Sequence, residues 1–279
     1  MHKFLRAIGF SDITKKDLEM ILDEVITRPE IMKITKDSEG NEFAELSGSF
    51  AANAGITVRG TYQEDDSFHM DYYYPYVFGT SITTNEQIDV EKHAEKESYA
   101  GVCDEVNLGV TLIFYIQNVA DYLAETNRHL SKIHYGAMLA GLSTEGKILC
   151  PVVERKKNDV PAIQKNDRHN QLIAQAREGD EDAIESLTLE DMDTYALLSQ
   201  RVMKEDIFSI VKSTFMPFGI ESDQYTVLGE IIDCVTMENR LTHEKLYGMK
   251  LLCNNIQFDV CINEKDLLGE PAIGRRFLE

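Results

Sequence analysis

The segment from Phe68 to Val77 constrains the fold more than any other, because its side chains repeat with a period of two. Alternate residues of a β-strand point to the same face of a sheet. One face of this segment is apolar or aromatic at every position and consists of Phe68, Met70, Tyr72, Tyr74 and Tyr76. The pattern predicts a half-buried strand with its aromatic row turned inward. An aromatic wall for a ligand, with Tyr73 and Tyr76 as candidate residues, is the alternative.

An amphipathic helix is predicted upstream of the first strand. Thr14 is followed three residues later by Asp17, which is typical of a capped helix start. The apolar residues that follow have helical spacing and are Leu18, Ile21, Leu22, Val25 and Ile26. The helix is expected to end at Arg28, because a residue before proline avoids the helical region.

After this helix the pattern favours antiparallel sheet with one short helix. Further strands are predicted at Met32–Thr35, Phe43–Leu46, Gly55–Tyr62, Glu86–Lys92 and Gly109–Ile116. A helix is predicted at Val119–Glu125. A hairpin is predicted between Tyr135–Leu142 and Lys147–Val153.

The fold class predicted from these patterns is α+β, in three parts. Residues 1–157 are predicted to form an antiparallel-sheet domain with a leading helix, and residues 158–214 a helical bridge. Residues 215–279 carry three strand patterns, which predict a small β-meander or an OB-like partial barrel. These strands are Tyr225–Val235, Leu246–Leu252 and Asn255–Ile262.

Charge and apolar content exclude several classes of protein. The net charge is −20, with 16 basic and 25 acidic residues in 1–157 (net −9) and 12 and 23 in 158–279 (net −11). Such a surface repels phosphate backbones and anionic membranes, so the charge disfavours nucleic acid as a partner and predicts no membrane partner. No segment approaches the roughly 18–20 apolar residues of a membrane span, and the N-terminus lacks a signal-peptide pattern. The five cysteines form no CxxC pair, which is typical of small buried residues in a reducing compartment.

Motifs that carry chemistry are missing from the sequence. It has no GxSxG nucleophile turn, no glycine loop for phosphate and no HExxH pair. The acidic run Glu178–Asp193 is predicted to be a solvated helical face rather than a cation site. We therefore predict no metal site and no cofactor. A dispersed metal-assisted hydrolytic site that uses His69, His93 or His134 is the alternative.

The pair Arg275-Arg276 is the remaining binding candidate. Two adjacent guanidinium groups can hold a phosphate or carboxylate, and on a small barrel they hint at single-stranded nucleic acid. Local ion pairing with Glu264, Asp266 or Glu270 is the simpler interpretation.

Four long motifs carry a resemblance to a known family. They occupy residues 1–10, 176–191, 215–221 and 266–277 and read MHKFLRAIGF, AREGDEDAIESLTLED, FMPFGIE and DLLGEPAIGRRF. Together they resemble an uncharacterised bacterial family of Gram-positive anaerobes that is known only as a domain of unknown function. The resemblance implies a cytoplasmic bacterial protein and transfers no activity. Members of that family continue into another apolar strand, so Leu278-Glu279 is expected to be a cloning remnant, with the natural chain running past Phe277.

The function expected from the sequence is that of a non-enzymatic cytoplasmic binding or regulatory protein. Its partner would be a protein or a small ligand, and its oligomeric state stays open. Candidate ligand-binding residues are Tyr73, Tyr76, Arg275 and Arg276. An enzyme with a dispersed carboxylate and histidine site, and single-stranded nucleic-acid binding by the C-terminal unit, are the two alternatives.

Overall fold

The computed structural model describes residues 2–93, 96–127, 136–151, 175, 180, 182, 185–186, 211–219 and 223–279. Within these residues the chain is α+β, as predicted, with a four-stranded, a three-stranded and an eight-stranded sheet. The helices are a 3₁₀ helix at Lys3–Ile8, α1 at Lys15–Thr27, α2 at Val119–Asn127 and a 3₁₀ turn at Glu264–Asp266.

The strands fall into three groups. The N-terminal sheet consists of β1 Ile31–Lys36, β2 Glu42–Ala51, β3 Ala54–Tyr62 and β4 Phe68–Val77. The small sheet consists of β5 Asp89–Lys92, β6 Tyr99–Glu105 and β7 Val110–Tyr115. The mixed sheet consists of β8 Ala140–Ser143, β9 Gly146–Leu149, β10 Thr214–Pro217, β11 Tyr225–Glu238, β12 Lys245–Cys253, β13 Ile256–Asn263, β14 Leu267–Leu268 and β15 Arg276–Leu278.

Helix α1 begins and ends where its sequence predicts. The Thr14 hydroxyl accepts a hydrogen bond from the Asp17 backbone N–H, and the Asp17 carboxylate accepts one from the Thr14 backbone N–H. These two bonds satisfy backbone donors that the first helical turn leaves unpaired. The helix ends at Thr27, ahead of Pro29.

The two faces of the N-terminal sheet are covered by different helices. Even-numbered residues such as Leu46 and Val58 pack in one core with α1 and the N-terminal 3₁₀ helix. On the odd-numbered face, Phe43 packs with Val119 and Leu123 of α2. The sheet is therefore buried between helices, and both of its faces contribute to stability.

A register shift in β4 corrects one part of the predicted aromatic row. Tyr72 pairs with Arg59, whereas Met70 pairs with Gly60, so one extra residue, Asp71, lies between them on β4. Such a bulge moves the residues before it to the opposite face. Phe68 and Met70 therefore share a face with Val58, not with Tyr72, and the prediction of one continuous row of five residues is wrong.

Arg59 joins the N-terminal sheet to the segment that connects β7 with α2. Its side chain is 3 % exposed, and its Nε donates to Oε2 of Glu45 at 2.9 Å. Its Nη1 and Nη2 donate to the hydroxyls of Tyr72 and Tyr74 at 2.9 Å and 2.7 Å. Its Nη2 also donates to the carbonyl oxygen of Gln117 at 2.7 Å. A buried charge is tolerated only when it is paired and hydrogen-bonded in this way.

The mixed sheet contributes most residues of a further apolar core, distinct from the core that packs with α1. Its strand order is β14-β9-β15-β11-β12-β13-β8, with β10 on β11. The pairs β13–β8 and β14–β9 are parallel, and the other pairs are antiparallel. Its buried residues include Ile231, Met249, Leu251, Phe258 and Phe277.

Strands β8 and β9 do not form the predicted hairpin. In the described part of the chain β8 pairs with β13, and β9 pairs with β14 and β15. Only Thr144 and Glu145 connect the two strands, so the ends of the mixed sheet approach each other. A Cβ added to Gly146 would lie 2.4 Å from Phe277 and 2.9 Å from Ile262. In the strands that the structure describes, the sheet is curled but not closed into a barrel, and the OB-like form stays a prediction.

Contacts group Met1–Cys150 with Ser213–Glu279 in one compact unit, and Pro151–Lys212 in another. In the second unit Asp182 is helical, and its N–H donates to Oδ1 of Asp180 at 3.0 Å, as in a helix cap. The rest of the predicted helical bridge lies largely outside the described residues. The predicted domain boundaries after residues 157 and 214 stay predictions.

A double-mutant cycle tests the Arg59 contact. We expect Glu45→Leu and Arg59→Met each to lower the free energy of unfolding by about 3–5 kcal/mol, because each leaves a buried polar partner unsatisfied. The double variant should cost clearly less than the sum of the two. Urea unfolding followed by circular dichroism measures all three values.

The matched control for this cycle is Glu19→Gln. Glu19 lies 3.9 Å from Lys15 in an exposed pair on α1, so its loss should change stability by less than about 1 kcal/mol. Additive costs for Glu45→Leu and Arg59→Met would show that the two side chains are not coupled.

Candidate functional site

A cleft of about 520 Å³ lies beside the N-terminal 3₁₀ helix. Its apolar lining residues are Leu5, Phe10 and Ile13, and its basic ones are His2, Lys3 and Arg6. The remaining lining residues are Ser11, Thr144 and Glu145. The volume lies in the range of small-molecule sites, and apolar walls with a few polar groups are typical of such sites.

The 3₁₀ helix is fixed in place by the connection between β11 and β12. Gly9 ends the helix with a φ of 90°, and a Cβ there would lie 2.6 Å from the Cβ of Asn239. The Asn239 side chain donates to the carbonyl oxygen of Ile8 at 2.8 Å, and the Thr242 hydroxyl donates to that of Gly9 at 2.6 Å. This approach requires a glycine, so the cleft wall is built on a rigid contact.

Behind the cleft, Glu244 accepts hydrogen bonds from three side chains. They come from Oγ of Ser11 at 2.7 Å, Nδ2 of Asn263 at 2.6 Å and Nζ of Lys265 at 2.6 Å. The Glu244 side chain is 11 % exposed. Burial alone raises the pKa of Glu244, but the bonds from Lys265, Ser11 and Asn263 outweigh it and lower the pKa.

Arg6 extends from the same helix with part of its guanidinium unused. Its Nε donates to Oδ2 of Asp266 at 2.7 Å, and its Nη2 donates to Oδ1 of the same carboxylate. This hydrogen-bonded pairing raises the pKa of Arg6. Its Nη1 has no partner among the described residues, and the side chain is 45 % exposed. An arginine held on one side by a carboxylate can still donate to a ligand on the other side.

A second cleft, of about 650 Å³, lies at the turn between β3 and β4. Every residue that lines it except Tyr62 is polar, and most belong to the turn itself. The Ser67 hydroxyl and N–H bind Asp65 and lower the pKa of its carboxyl group. This cleft offers few apolar contacts, so the cleft beside the 3₁₀ helix is the better candidate for a ligand.

The predicted tyrosine candidates do not meet in one site. Tyr76 is 1 % exposed, and its hydroxyl lies 3.4 Å from the Ser49 hydroxyl. Tyr73 pairs with Val58 and packs against the core on the other face of the sheet. A ligand-binding role for Tyr73 or Tyr76 stays a prediction.

The two residues of the predicted arginine pair, Arg275 and Arg276, bind different backbone carbonyl groups. Arg275 donates through Nη1 to the backbone carbonyl of Glu270 at 2.6 Å. Arg276 is 6 % exposed, and its Nε donates to the carbonyl oxygen of Cys150 at 2.9 Å. Burial lowers the pKa of Arg276. Asp266, one of the acidic residues expected beside this pair, binds Arg6. A ligand-binding role for Arg275 and Arg276 stays a prediction.

The histidine and cysteine residues are dispersed. His69 lies on β4, and the ring of His93 packs edge-on against Tyr115 with 5.6 Å between ring centres. His134 lies outside the described residues. Across the part of the chain that the structure describes, no group of three or more metal-ligating side chains occurs.

The cysteines follow their prediction in part. Cys103, Cys253 and Cys261 are buried, whereas Cys234 is partly exposed and Cys150 exposed. Burial raises the pKa of Cys253 to about 11 and that of Cys261 to about 12. These two thiols are therefore protonated and unreactive at neutral pH.

Sequence reasoning missed the cleft because its residues are distant in the chain. Arg6 and Asp266 are 260 positions apart, and Ser11 and Glu244 are 233 apart. One signal was available: Arg6 interrupts the otherwise apolar run from Phe4 to Phe10. A charged residue in such a run indicates a specific partner, although it does not identify that partner.

Comparison with known proteins gives one finding. The family described as "Domain of unknown function, E. rectale Gene description (DUF3881)" has a model that matches residues 5–278. No match occurs among the curated proteins or among the solved structures. Among the described residues, no helix is long and apolar enough to cross a membrane.

The Glu244 network makes a prediction about pH. A carboxylate whose folded pKa is lowered contributes stability above its unfolded pKa, and this contribution is lost as the pH falls through the folded pKa. Glu244→Gln should therefore cost about 1–3 kcal/mol of unfolding free energy at pH 7. This difference from the original chain should shrink as the pH falls below the ordinary glutamate value of 4.5. Urea unfolding between neutral and acidic pH measures it.

Glu39→Gln is the control, because Glu39 is exposed in the turn between β1 and β2. Its effect should stay within about 0.5 kcal/mol at every pH. A Glu244→Gln cost that stays constant down to the lowest pH would contradict the lowered pKa.

Proposed function

We propose that this chain, which belongs to the DUF3881 family of domains of unknown function, is a binding protein for a small anionic ligand. The ligand would occupy the cleft beside the N-terminal 3₁₀ helix. One observation carries the proposal: Arg6 offers N–H donors on Nη1 beside the apolar side chains of Leu5, Phe10 and Ile13.

The chemistry of the lining favours a small metabolite with a carboxylate or phosphate group. A guanidinium held by Asp266 is oriented before the ligand arrives, so less conformational entropy is lost on binding. Lys3 adds a second positive charge to the lining. Thr144 and Glu145 supply hydrogen-bonding groups from the connection between β8 and β9, which suits a ligand that also carries a hydroxyl or amino group.

The hydrogen bonds of Ser11 and Glu244 in the cleft wall favour a binding function over catalysis. The Ser11 hydroxyl donates to Glu244, which would have to act as the base for a serine nucleophile. A carboxylate with a lowered pKa is a weak proton acceptor, and Lys265 and Asn263 already occupy its oxygens. Because these hydrogen bonds hold Ser11 and Glu244 in place, the two residues are suited to forming a rigid wall of a binding site.

The cytoplasm is the proposed location. Its support is the set of five free cysteines, one of them the exposed Cys150, which would be oxidised in a secreted protein. The acidic net charge of −20 is also consistent with this location.

Thermal unfolding of the full chain with added anions tests the binding proposal. The probes are inorganic phosphate, citrate and glutamate, each in a concentration series. We expect at least one probe to raise Tm, since a ligand at 100 times its Kd stabilises the folded state by about 2.7 kcal/mol. Arg6→Gln should abolish the shift, because it removes the guanidinium donors.

Two variants control for the structural effect of Arg6→Gln. Asp266→Asn breaks the same ion pair but keeps the guanidinium, so a ligand shift should remain, smaller than in the original chain because the guanidinium is no longer held in place. Arg28→Gln removes an exposed arginine at the end of α1, outside the cleft, and should change nothing. The proposal fails if no probe shifts Tm, or if Arg6→Gln keeps the full shift.

A further inference from the structure

The cleft beside the N-terminal 3₁₀ helix is lined by an acidic residue as well as by Arg6. Glu145 lines it from the short connection between β8 and β9. Among the described residues the Glu145 carboxylate has no hydrogen bond or ion pair, and Nη1 of Arg6 has none either. Two opposite charges therefore line one cleft without pairing with each other. A ligand that carries both signs of charge would satisfy both groups.

The backbones of Arg6 and Glu145 are fixed by neighbouring residues of β13 and β8. The carbonyl oxygen of Arg6 accepts a hydrogen bond from Nδ2 of Asn263 at 3.1 Å. One residue earlier on β13, Ile262 pairs with Ser143, whose hydroxyl donates to the carbonyl oxygen of Glu145 at 2.9 Å. Ser143 and Asn263 are both fully buried. The two charged residues are therefore held on rigid backbone before a ligand arrives, which reduces the entropy lost on binding.

The surroundings of Arg6 disfavour a ligand that carries only negative charge. The hydrogen bond to Asp266 raises the pKa of Arg6, and the charges of Asp12 and Glu244 add to this shift. Lys265 neutralises part of this acidity, because its Nζ lies 2.6 Å from Glu244 and 3.4 Å from Asp12. The remaining carboxylates, in a chain of net charge −20, repel a multiply charged anion. An ammonium group on the ligand would offset this repulsion.

The apolar residues of the lining select the rest of the ligand. Leu5 and Phe10 are buried members of the core that packs with α1, and Ile13 packs against that core. A branched aliphatic side chain would cover this apolar surface and would lose little rotamer freedom in doing so. A long polar side chain would gain less there and would lose more conformational entropy.

We infer that the ligand is an α-amino acid with an apolar side chain. Its carboxylate would bind Nη1 of Arg6, and its ammonium group would bind the Glu145 carboxylate. This inference rests on the proposed function, since it uses the same cleft and the same guanidinium, and it adds Glu145 as the residue that determines specificity. A ligand without the amine would leave Glu145 unpaired, and a ligand without the carboxylate would leave Arg6 incompletely paired.

The test compares three compounds that share one branched carbon chain. They are leucine, isocaproate (leucine without its amine) and isopentylamine (leucine without its carboxylate). Isothermal titration calorimetry of the full chain at neutral pH measures the Kd of each. We expect leucine to bind at least about tenfold more tightly than either of the other two, because each of them loses one hydrogen-bonded charge pair.

Two substitutions of Glu145 and one matched control complete the test. Glu145→Gln should weaken leucine about tenfold and leave isocaproate binding intact, because only the ammonium group loses its partner. Glu145→Lys should reverse the preference, so that isocaproate binds more tightly than leucine, which a merely destabilised variant would not show. Glu39→Gln removes an exposed carboxylate in the turn between β1 and β2, outside the cleft, and should change neither affinity.

The outcomes separate this inference from the proposed function. Equal affinity for leucine and isocaproate, lost in Arg6→Gln, would overturn the inference and leave the anion site in place. Leucine that fails to bind while phosphate or citrate raises Tm would do the same. Leucine affinity that Glu145→Gln does not lower, or isopentylamine that binds as tightly as leucine, would also overturn the inference. If leucine, isocaproate, phosphate, citrate and glutamate all fail to bind, both proposals are wrong.

Discussion

The buried guanidinium of Arg59 is the contact on which the N-terminal half of the structure depends. It lies on the odd-numbered face of β3 and binds Glu45, Tyr72 and Tyr74 within its own sheet. It also binds the carbonyl oxygen of Gln117, at the point where the chain leaves β7 and turns into α2. The cost of burying this charge is offset only while all of these partners are in place, so the sheet and α2 are held in one arrangement.

The same physical rule governs the cleft beside the 3₁₀ helix. Glu244 is a largely buried carboxylate, and Ser11, Asn263 and Lys265 together keep it ionised. Because these groups satisfy one another, they form a wall with fixed geometry. Arg6 differs from them, since only one side of its guanidinium is occupied. A cleft that combines a rigid wall with one incompletely paired cation is suited to the proposed binding of a small anion.

Local patterns predicted the elements better than their partners. The capping residues of α1 and the alternation of β2, β3 and β4 led to the correct elements, because both signals act within a few residues. The hairpin between β8 and β9 was wrong, because alternation identifies a strand but does not say which strand lies beside it. The bulge at Asp71 was missed for a related reason: an inserted residue leaves the sequence pattern almost unchanged and becomes visible only against the partner strand.

The sequence by itself determined the α+β class, the start and end of α1, and the inward position of the Tyr72 and Tyr74 rings. Each of these follows from residue periods and backbone preferences that act over short distances. Only the tertiary structure decided that Arg6 meets Asp266 and that Ser11 meets Glu244. The physical reason is that long-range pairing depends on how the curled mixed sheet and the N-terminal sheet pack, and no local pattern records that packing.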